Sequence, residues 1–277
     1  MANQLLSGKR GIIFGALDER SIAWKVAKRA VEEGAQIVLT NAPVALRMGT
    51  IKQLAAECGD APVIAADATN AADLENLFSQ AMEHFGGKVD FVLHSIGMSP
   101  NVRKGFAYDA TNYDNFLKTL DISALSLHKV LQTAKKLDAI NEWGSVLALS
   151  YIAAQRTFPG YNDMADAKAL LESITRSFGY QYGFAKKVRV NTISQSPVPT
   201  TAGSGVTGFT GFYAYAEKMS PLGNATADDC ANYCLTLFSD YTRMVTMQNL
   251  FHDGGFSFTG VSQDVMEAFM AGSGENG

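Results

Sequence analysis

The chain is 277 residues long, enough for one large α/β domain, and its 47% hydrophobic and 18% charged residues belong to a globular protein rather than a disordered one. A formal net charge of −4 argues against a nucleic-acid binder, whose surface needs clustered lysine and arginine. The opening MANQLLSGKRG lacks the apolar core of a signal peptide, and no apolar run approaches about 18 residues, so a cytoplasmic protein outside the membrane is expected.

Short apolar runs alternate with longer helical patterns. RGIIFG (10–15) reads as a first strand and SIAWKVAKRAVEEG (21–34) as a helix stopped by Gly34. QIVLT (36–40) follows as a strand, residues 45–58 as a helix, PVIAAD (62–67) as a strand and AADLENLFSQAMEHFG (71–86) as a helix. VDFVLHSIG (89–97) is the fourth strand, and a long helix runs from Tyr113 to Leu137. GSVLALS (144–150), a helix from about Asn162 to Tyr182 and VRVNTIS (188–194) continue the alternation. Uninterrupted apolar strands alternating with helices imply a doubly wound parallel sheet covered on both faces, a Rossmann-like α/β fold. With no internal repeat and no dividing linker, residues 1–277 form a single expected domain.

The pattern breaks between Ser196 and Pro221, where glycine and threonine mix with Phe209, Phe212, Tyr213 and Tyr215. Aromatic residues on a glycine-hinged loop suggest a substrate-binding lid, about 197–220; the alternative is a surface excursion with a hydrophobic underside. A final helix and strand lead to HDGGF, and the tail from about 271 to 277 is expected to be disordered. Cys58, Cys230 and Cys234 cannot all pair, and Cys230 and Cys234 fall one helical turn apart, a packing pattern. His84, His94, His128 and His252 show no metal-ligand spacing, so no metal is expected.

Two local features carry chemistry. Gly15-Ala16-Leu17-Asp18-Glu19-Arg20-Ser21-Ile22 lies where such a sheet binds a pyrophosphate, after the first strand and at a helix N-terminus. It lacks the full GxGxxG pattern, and alone it reads equally as an ordinary strand–helix turn. Tyr161 and Lys168 are separated by six residues. On a continuous helix they share a face about 10 Å apart, room for a nucleotide ribose. An ammonium close to a phenol favours the phenolate and is expected to lower the tyrosine pKa. Alone, the pair also reads as a solvated lysine and a packed tyrosine.

Taken in order, Gly15 with Ser21-Ile22-Ala23, Asp67, His94-Ser95-Ile96-Gly97, Ser150-Tyr151, Tyr161, Lys168 and Asp253-Gly254-Gly255 resemble the enoyl-acyl-carrier-protein reductases, the divergent branch of the short-chain dehydrogenase/reductase superfamily. The likeness runs from about Leu6 to Phe256. Most short-chain reductases place three residues between tyrosine and lysine, whereas here that position is Ala165 and the match is Lys168. An enoyl reductase delivers hydride two bonds from the oxygen-bearing carbon. On a continuous helix, three extra residues move the tyrosine about 4.5 Å along the axis to suit that geometry.

The resemblance implies an enzyme that reduces enoyl thioesters on acyl carrier protein in fatty-acid elongation, with Tyr151, Tyr161 and Lys168 catalytic. It implies cofactor contacts from Gly15, Ser21, Ile22, Ala42, Asp67, Ala68, Ser95, Ile96, Gly97, Lys168, Pro197, Val198, Thr200, Thr201 and Ala202. An acyl pocket is implied at Met98, Ser99, Tyr151, Tyr161, Met164 and Phe209, with core packing the competing role for the non-tyrosine members. The second strand ends Thr40-Asn41-Ala42 without an acid, and Arg47 reads as an exposed helix residue. NADH is expected rather than NADPH, because this branch manages NADH without that acid.

Several residues depart from the pattern. Gln195-Ser196-Pro197 replaces a small Ala-Gly-Pro, Met247 stands where a glycine opens the last strand, and His252 replaces an aliphatic residue. Thr207, Thr210 and Gly211 supply no charge on the lid for an acidic carrier, leaving Lys218, or Arg103 and Lys104, to provide the positive landing patch. The resemblance also points to a homotetramer, with no nucleic-acid or membrane partner. The alternatives are a short-chain reductase acting on a ketone and a catalytically silent dinucleotide-binding sensor.

Overall fold

The apolar runs form seven parallel strands among the described residues of a computed structural model, which covers residues 3–201, 203–206 and 208–273. They are β1 (Arg10–Phe14), β2 (Gln36–Asn41), β3 (Val63–Ala65), β4 (Val89–His94), β5 (Ile140–Ser150), β6 (Arg189–Gln195) and β7 (Asn249–His252), in the order β3-β2-β1-β4-β5-β6-β7. The order reverses between β1 and β4, the place where a doubly wound sheet opens a crevice at its carboxyl edge.

Both sheet faces are covered, which is why the strands read as continuous apolar runs. Ile12, Val38, Val92, Val146 and Val190 pack against α4 (Ala71–Phe85), α7 (Ser126–Lys136) and α8 (Asn162–Lys186). Ile13, Leu39, Leu93, Leu147 and Ile193 face the other way, against α1 (Ile22–Glu32), α3 (Ile51–Glu57) and α10 (Ala227–Phe238). Cys58, Cys230 and Cys234 are free and buried, as their spacing implies.

The expected helix at 45–58 is two helices, α2 (Pro43–Met48) and α3. The break comes from a tertiary contact: Thr50 N–H donates to the Leu17 carbonyl at 2.9 Å, and an added Cβ on Gly49 would lie 2.3 Å from that oxygen. Between β4 and β5 lie α5 (Pro100–Arg103), α6 (Tyr113–Leu120), a π-helical turn over Asp121–Leu125, and α7. The expected lid loop contains a helix, α9 (Phe209–Met219). The last helix, α11 (Gln263–Ser273), takes in the first three residues assigned to a disordered tail. Residues 274–277 of that tail lie outside the described residues.

Met247 holds φ +64°, a left-handed conformation that favours glycine. Its side chain takes up the room above Gly179 on α8, where an added Cβ would lie 2.5 Å from Met247 Cγ.

Arg189 opens β6 almost fully buried, 2% exposed, and closes the end of α10. Its guanidinium donates to the Leu237 carbonyl at 2.8 Å, Thr242 O at 3.0 Å and Ser239 O at 3.2 Å. These include carbonyls that the helix end cannot satisfy itself. Arg189→Met keeps the apolar stem but removes the donors, and is expected to destabilise the fold by about 3 kcal/mol in urea denaturation. An unchanged midpoint would mean that water satisfies these carbonyls.

Candidate active site

A parallel sheet presents its carboxyl ends along one edge, and the candidate residues gather there. Gly15 follows β1, Ala42 follows β2, Asp67 and Ala68 follow β3, and Ser95, Ile96 and Gly97 follow β4. Tyr151 follows β5, while Pro197, Val198, Thr200 and Thr201 follow β6. Ala202 lies outside the described residues.

Gly15 has φ +94°, and an added Cβ would lie 2.0 Å from the Ser95 carbonyl oxygen. Both facts demand glycine, and they let the turn after β1 close onto the exit of β4. Ser21 Oγ donates to Asp18 O at 2.7 Å and accepts from Leu17 N–H at 3.3 Å, holding the turn as Ile22 opens α1. Asn41 Nδ2 donates to the Ala16 carbonyl at 3.0 Å, and its Oδ1 accepts from Ala42 N–H at 2.9 Å. Thr201 Oγ1 bonds the Asp18 carboxylate and accepts from Arg20 Nη2 at 2.8 Å. The loops after β1, β2 and β6 are thereby tied together. Asp67 Oδ1 accepts from Thr69 N–H and Oγ1, both at 2.8 Å, and Ala68 is buried.

Lys168 is 8% exposed, and its Nζ donates to the Leu149 carbonyl at 2.7 Å. An added Cβ on Gly97 would lie 3.6 Å from Nζ, so the amine faces the exit of β4. Burial pushes its pKa from 10.5 down to about 8, opposed by Glu172 one turn along α8. Glu172, itself buried, accepts from Ser150 Oγ at 2.7 Å and Gln155 Nε2 at 3.0 Å.

Tyr161 stands just before α8 rather than within it, and Asn162, with φ +42°, begins the helix. The expectation of a tyrosine displaced along a continuous helix is therefore corrected: the strained turn at Asn162 sets the phenol. The expected fall in its pKa is corrected as well. Burial pushes the Tyr161 phenol above its ordinary value, because a phenolate loses its solvation there, and the Lys168 amine is engaged by the Leu149 carbonyl instead. Tyr151 lies with its ring 5.1 Å from that of Tyr161, and burial, then Tyr161 and Asp253, raise its pKa too. The Tyr151 hydroxyl is buried without a hydrogen-bond partner. Two protonated phenols therefore stand with their rings in contact, and the buried Tyr151 hydroxyl lacks a partner.

His94, at the end of β4, is fully buried with Nε2 2.8 Å from Ser126 Oγ. That hydroxyl gives its proton to Ile122 O at 2.6 Å, so Nε2 donates and Nδ1 is left unpartnered. Burial, then Lys168, pushes His94 down to about 3, so it is neutral under the site. Ser123 in the π-helical turn accepts from Met98 N–H at 2.9 Å and donates to Met98 O at 3.1 Å.

The acyl-pocket candidates divide. The Met164 methyl lies 3.8 Å from an added Gly97 Cβ, beside Lys168. Ser99 is buried, 3% exposed, and its hydroxyl is already engaged: it donates to Asp163 at 2.5 Å and accepts from Val102 N–H at 3.0 Å. Phe209 lines a cavity of about 390 Å³ with Pro199, Val206 and Tyr213, and none of the three catalytic candidates opens into it. The α9 residue that reaches Tyr151 is Phe212, 6.1 Å from its ring and 5.0 Å from Phe158. Phe158, Glu172 and Asp163 were not among the sequence candidates, and Phe212 was expected only as one of the aromatics of the 197–220 segment, not as a neighbour of Tyr151. Glu172 had a signal, an acid four residues after a buried lysine; for the two phenylalanines, only the packing distinguishes them from their aromatic neighbours.

Comparison with known proteins gives the same answer as the geometry. Residues 15–257 match the family described as "Enoyl-(Acyl carrier protein) reductase". The chain is 36% identical over 268 residues to "Enoyl-[acyl-carrier-protein] reductase [NADH] 2" of Rhizobium meliloti (strain 1021), covering 96% of this chain and 97% of that protein. The crystal structure of a FabI–NADH complex from Alistipes finegoldii superposes with TM-score 0.94 at 68% identity, over 95% of this chain and 93% of the other. The enoyl reductase (NADH) from Aquifex aeolicus VF5 superposes with TM-score 0.85 at 33% identity, over 93% of this chain and 99% of the other. Strand order, carboxyl-edge site and sequence agree, and the chain belongs to the enoyl-acyl-carrier-protein reductase family.

Proposed function

We propose that this protein reduces the trans-2 double bond of enoyl thioesters carried on acyl carrier protein, using NADH, as the last step of each fatty-acid elongation cycle. The observation that carries the reading is the pair of protonated phenols, Tyr151 and Tyr161, in ring contact after β5 and before α8, with the buried Lys168 amine of that helix held on the Leu149 carbonyl of β5. The residues fit a dinucleotide. Gly15 leaves the β1 turn without a side chain, and Lys168 spends one donor on Leu149, leaving others for ribose hydroxyls. Asn41 spends its amide on backbone where an acid would otherwise stand, and the Rhizobium and Alistipes relatives carry NADH in their names.

NADH bound there would supply the hydride that adds to the β-carbon of the enoyl chain. Tyr161 donates a hydrogen bond to the thioester oxygen, where negative charge grows as the double bond is reduced. Burial keeps the proton on the phenol until that oxygen needs it. Tyr151 offers a second donor to the same region, and Met164 forms part of the apolar wall. Gly15, Ser21 and Ile22 take the pyrophosphate side, Asp67 and Ala68 border the adenine, and Ser95, Ile96 and Gly97 run beneath ribose and nicotinamide. Pro197, Val198, Thr200 and Thr201 close the other flank.

The carrier is acidic, and the exposed Lys218, or the exposed pair Arg103 and Lys104, would meet it. A homotetramer is supported by apolar side chains left in water on α6 and α8: Tyr113, Leu117, Tyr180 and Phe184 are 55–79% exposed. No helix of the described residues is long and apolar enough to cross a membrane, in keeping with a cytoplasmic enzyme.

The decisive assay follows NADH oxidation with crotonyl, octenoyl and acetoacetyl thioesters. Oxidation with the first two supports the proposal, activity on acetoacetyl alone means a ketone reductase, and silence on all three means a sensor. Tyr161→Phe is expected to lower kcat by about 10²-fold with NADH affinity nearly intact; wild-type turnover in that variant would remove Tyr161 from the mechanism.

Lys168 gives a pH dependence whose sign is fixed. Its amine titrates at about 8 in the free protein, and holding ribose hydroxyls favours the ammonium. NADH binding is therefore strongest below that pH and weakens as pH rises through it. Calorimetric titration should show this slope in the wild type and lose it, along with affinity, in Lys168→Ala. A flat wild-type profile between about pH 7 and pH 9 contradicts the ribose role.

The lid can be tested separately. Glycines leave its backbone many conformations, while burying Phe209 and its neighbours against an acyl chain offsets the cost of ordering them. Hydrogen exchange over residues 203–218 is expected to be fast without ligand and slow in the ternary complex. Equal protection in both states would make the segment a fixed wall.

A further inference from the structure

A buried acid on α8 has no part in the chemistry described so far. Asp163 lies two residues after Tyr161, in the first turn of the helix, and is 0% exposed. Its carboxylate makes none of the ion pairs found among the described residues and is held by neutral donors instead. Ser99 Oγ donates to Oδ1 at 2.5 Å and Asn101 Nδ2 to Oδ2 at 2.7 Å. Because Ser99 Oγ also accepts from Val102 N–H, its single proton is committed to Asp163. Each carboxylate oxygen thus has its own donor, which fixes the direction of the group as well as its place.

The same segment is gripped from a second point. Asn101 Nδ2 also donates to Asn112 O at 3.1 Å, and Asn101 Oδ1 accepts from Asn112 N–H at 3.3 Å. Asn162 Nδ2 donates to Phe106 O at 2.9 Å, while Asn162 Oδ1 accepts from Thr111 Oγ1 at 2.7 Å and Asp163 N–H at 2.6 Å. The excursion between β4 and α6 is thus bolted to the first turn of α8 at two successive residues, Asn162 and Asp163, directly after Tyr161. These bonds hold Asn162 at φ +42°, a conformation that a non-glycine residue seldom adopts. An apolar side chain would fill the space but would fix no direction. The carboxylate points each oxygen at a separate donor, Ser99 and Asn101, at the start of α5 after Gly97.

We propose that Asp163 is a positioning residue: through Ser99 and Asn101 it fixes the turn that carries the Tyr161 phenol relative to the exit of β4. The proposal rests on the reading of Tyr161 as the proton donor in enoyl reduction. Misplacing a catalytic group by about 1 Å costs rate rather than fold, and this separates positioning from simple stability.

The test is a double-variant cycle on the full-length protein: wild type, Asp163→Asn, Tyr161→Phe and the combination. Each is measured for kcat with a crotonyl thioester, for NADH dissociation constant and for thermal midpoint. In Asp163→Asn an amide faces the Asn101 amide, so that bond is lost, and kcat is expected to fall about ten-fold with NADH affinity changed less than about two-fold. In the Tyr161→Phe background the same substitution is expected to change kcat by less than about two-fold, since the group it positions is gone. An unchanged kcat in Asp163→Asn, or the same loss in both backgrounds, overturns the proposal alone. Wild-type turnover in Tyr161→Phe overturns the donor reading and the proposal together. If Asp163→Asn does not fold, Ser99→Ala enters the cycle in its place, with the same outcomes expected and the same ones decisive.

Discussion

One constraint shapes the whole carboxyl edge: α8 must carry polar side chains into a region closed to water. Asp163, Lys168 and Glu172 are all at most 8% exposed on this one helix. A buried charge is costly unless partners replace its hydration, and each of these draws its partner from the end of a neighbouring strand. Asp163 takes Ser99 after β4, Glu172 takes Ser150 at the end of β5, and Lys168 takes the Leu149 carbonyl beside it. The helix is therefore docked by polar contacts at the edge where the chemistry occurs, and by Ala167, Leu171 and Ile174 within the core. Moving any one of these contacts would move the others, because all lie on a single rigid rod.

The same desolvation acts on the phenols and the amine with opposite sign. It disfavours whichever form is charged, so Tyr151 and Tyr161 rise while Lys168 falls to about 8. Pairing Tyr161 with Lys168 by sequence alone suggests an ammonium that draws a proton off the phenol. Geometry reverses that reading, since the ammonium is turned to Leu149 and the phenol stays protonated. For stabilising an oxyanion the protonated state is the useful one, since only it can donate.

Much of the fold was legible in the sequence because buried parallel strands and amphipathic helices leave strong local patterns. What could not be read was set by contacts distant in the chain. The break at Gly49 answers to the Leu17 carbonyl, and the π-helical turn to the serine contacts with Met98 and His94. Helix α9 hid behind glycines that signal a loop, and its phase decided that Phe212 rather than Phe209 meets Tyr151. Gln195 and His252 read as unrelated departures from a family pattern. They are register partners on β6 and β7, with Gln195 Oε1 2.7 Å from His252 Nδ1 and the imidazole stacked on Tyr233. Neither residue could announce the other, because strand pairing is invisible in one sequence.

The aromatic contacts link α9 to the electrostatics of the two tyrosines. Phe158 comes from the loop before Tyr161, Phe212 from α9 and Phe256 from the turn after β7, and their rings meet 5.0–6.3 Å apart. Phe158 and Phe212 both touch Tyr151, whose phenol is raised first by burial. Lifting α9 would remove one wall of that burial and admit water to a hydroxyl with no other partner. The position of α9 and the protonation of the phenol are then linked: the helix that supplies Phe212 to the aromatic cluster also supplies part of the burial that keeps the Tyr151 proton in place.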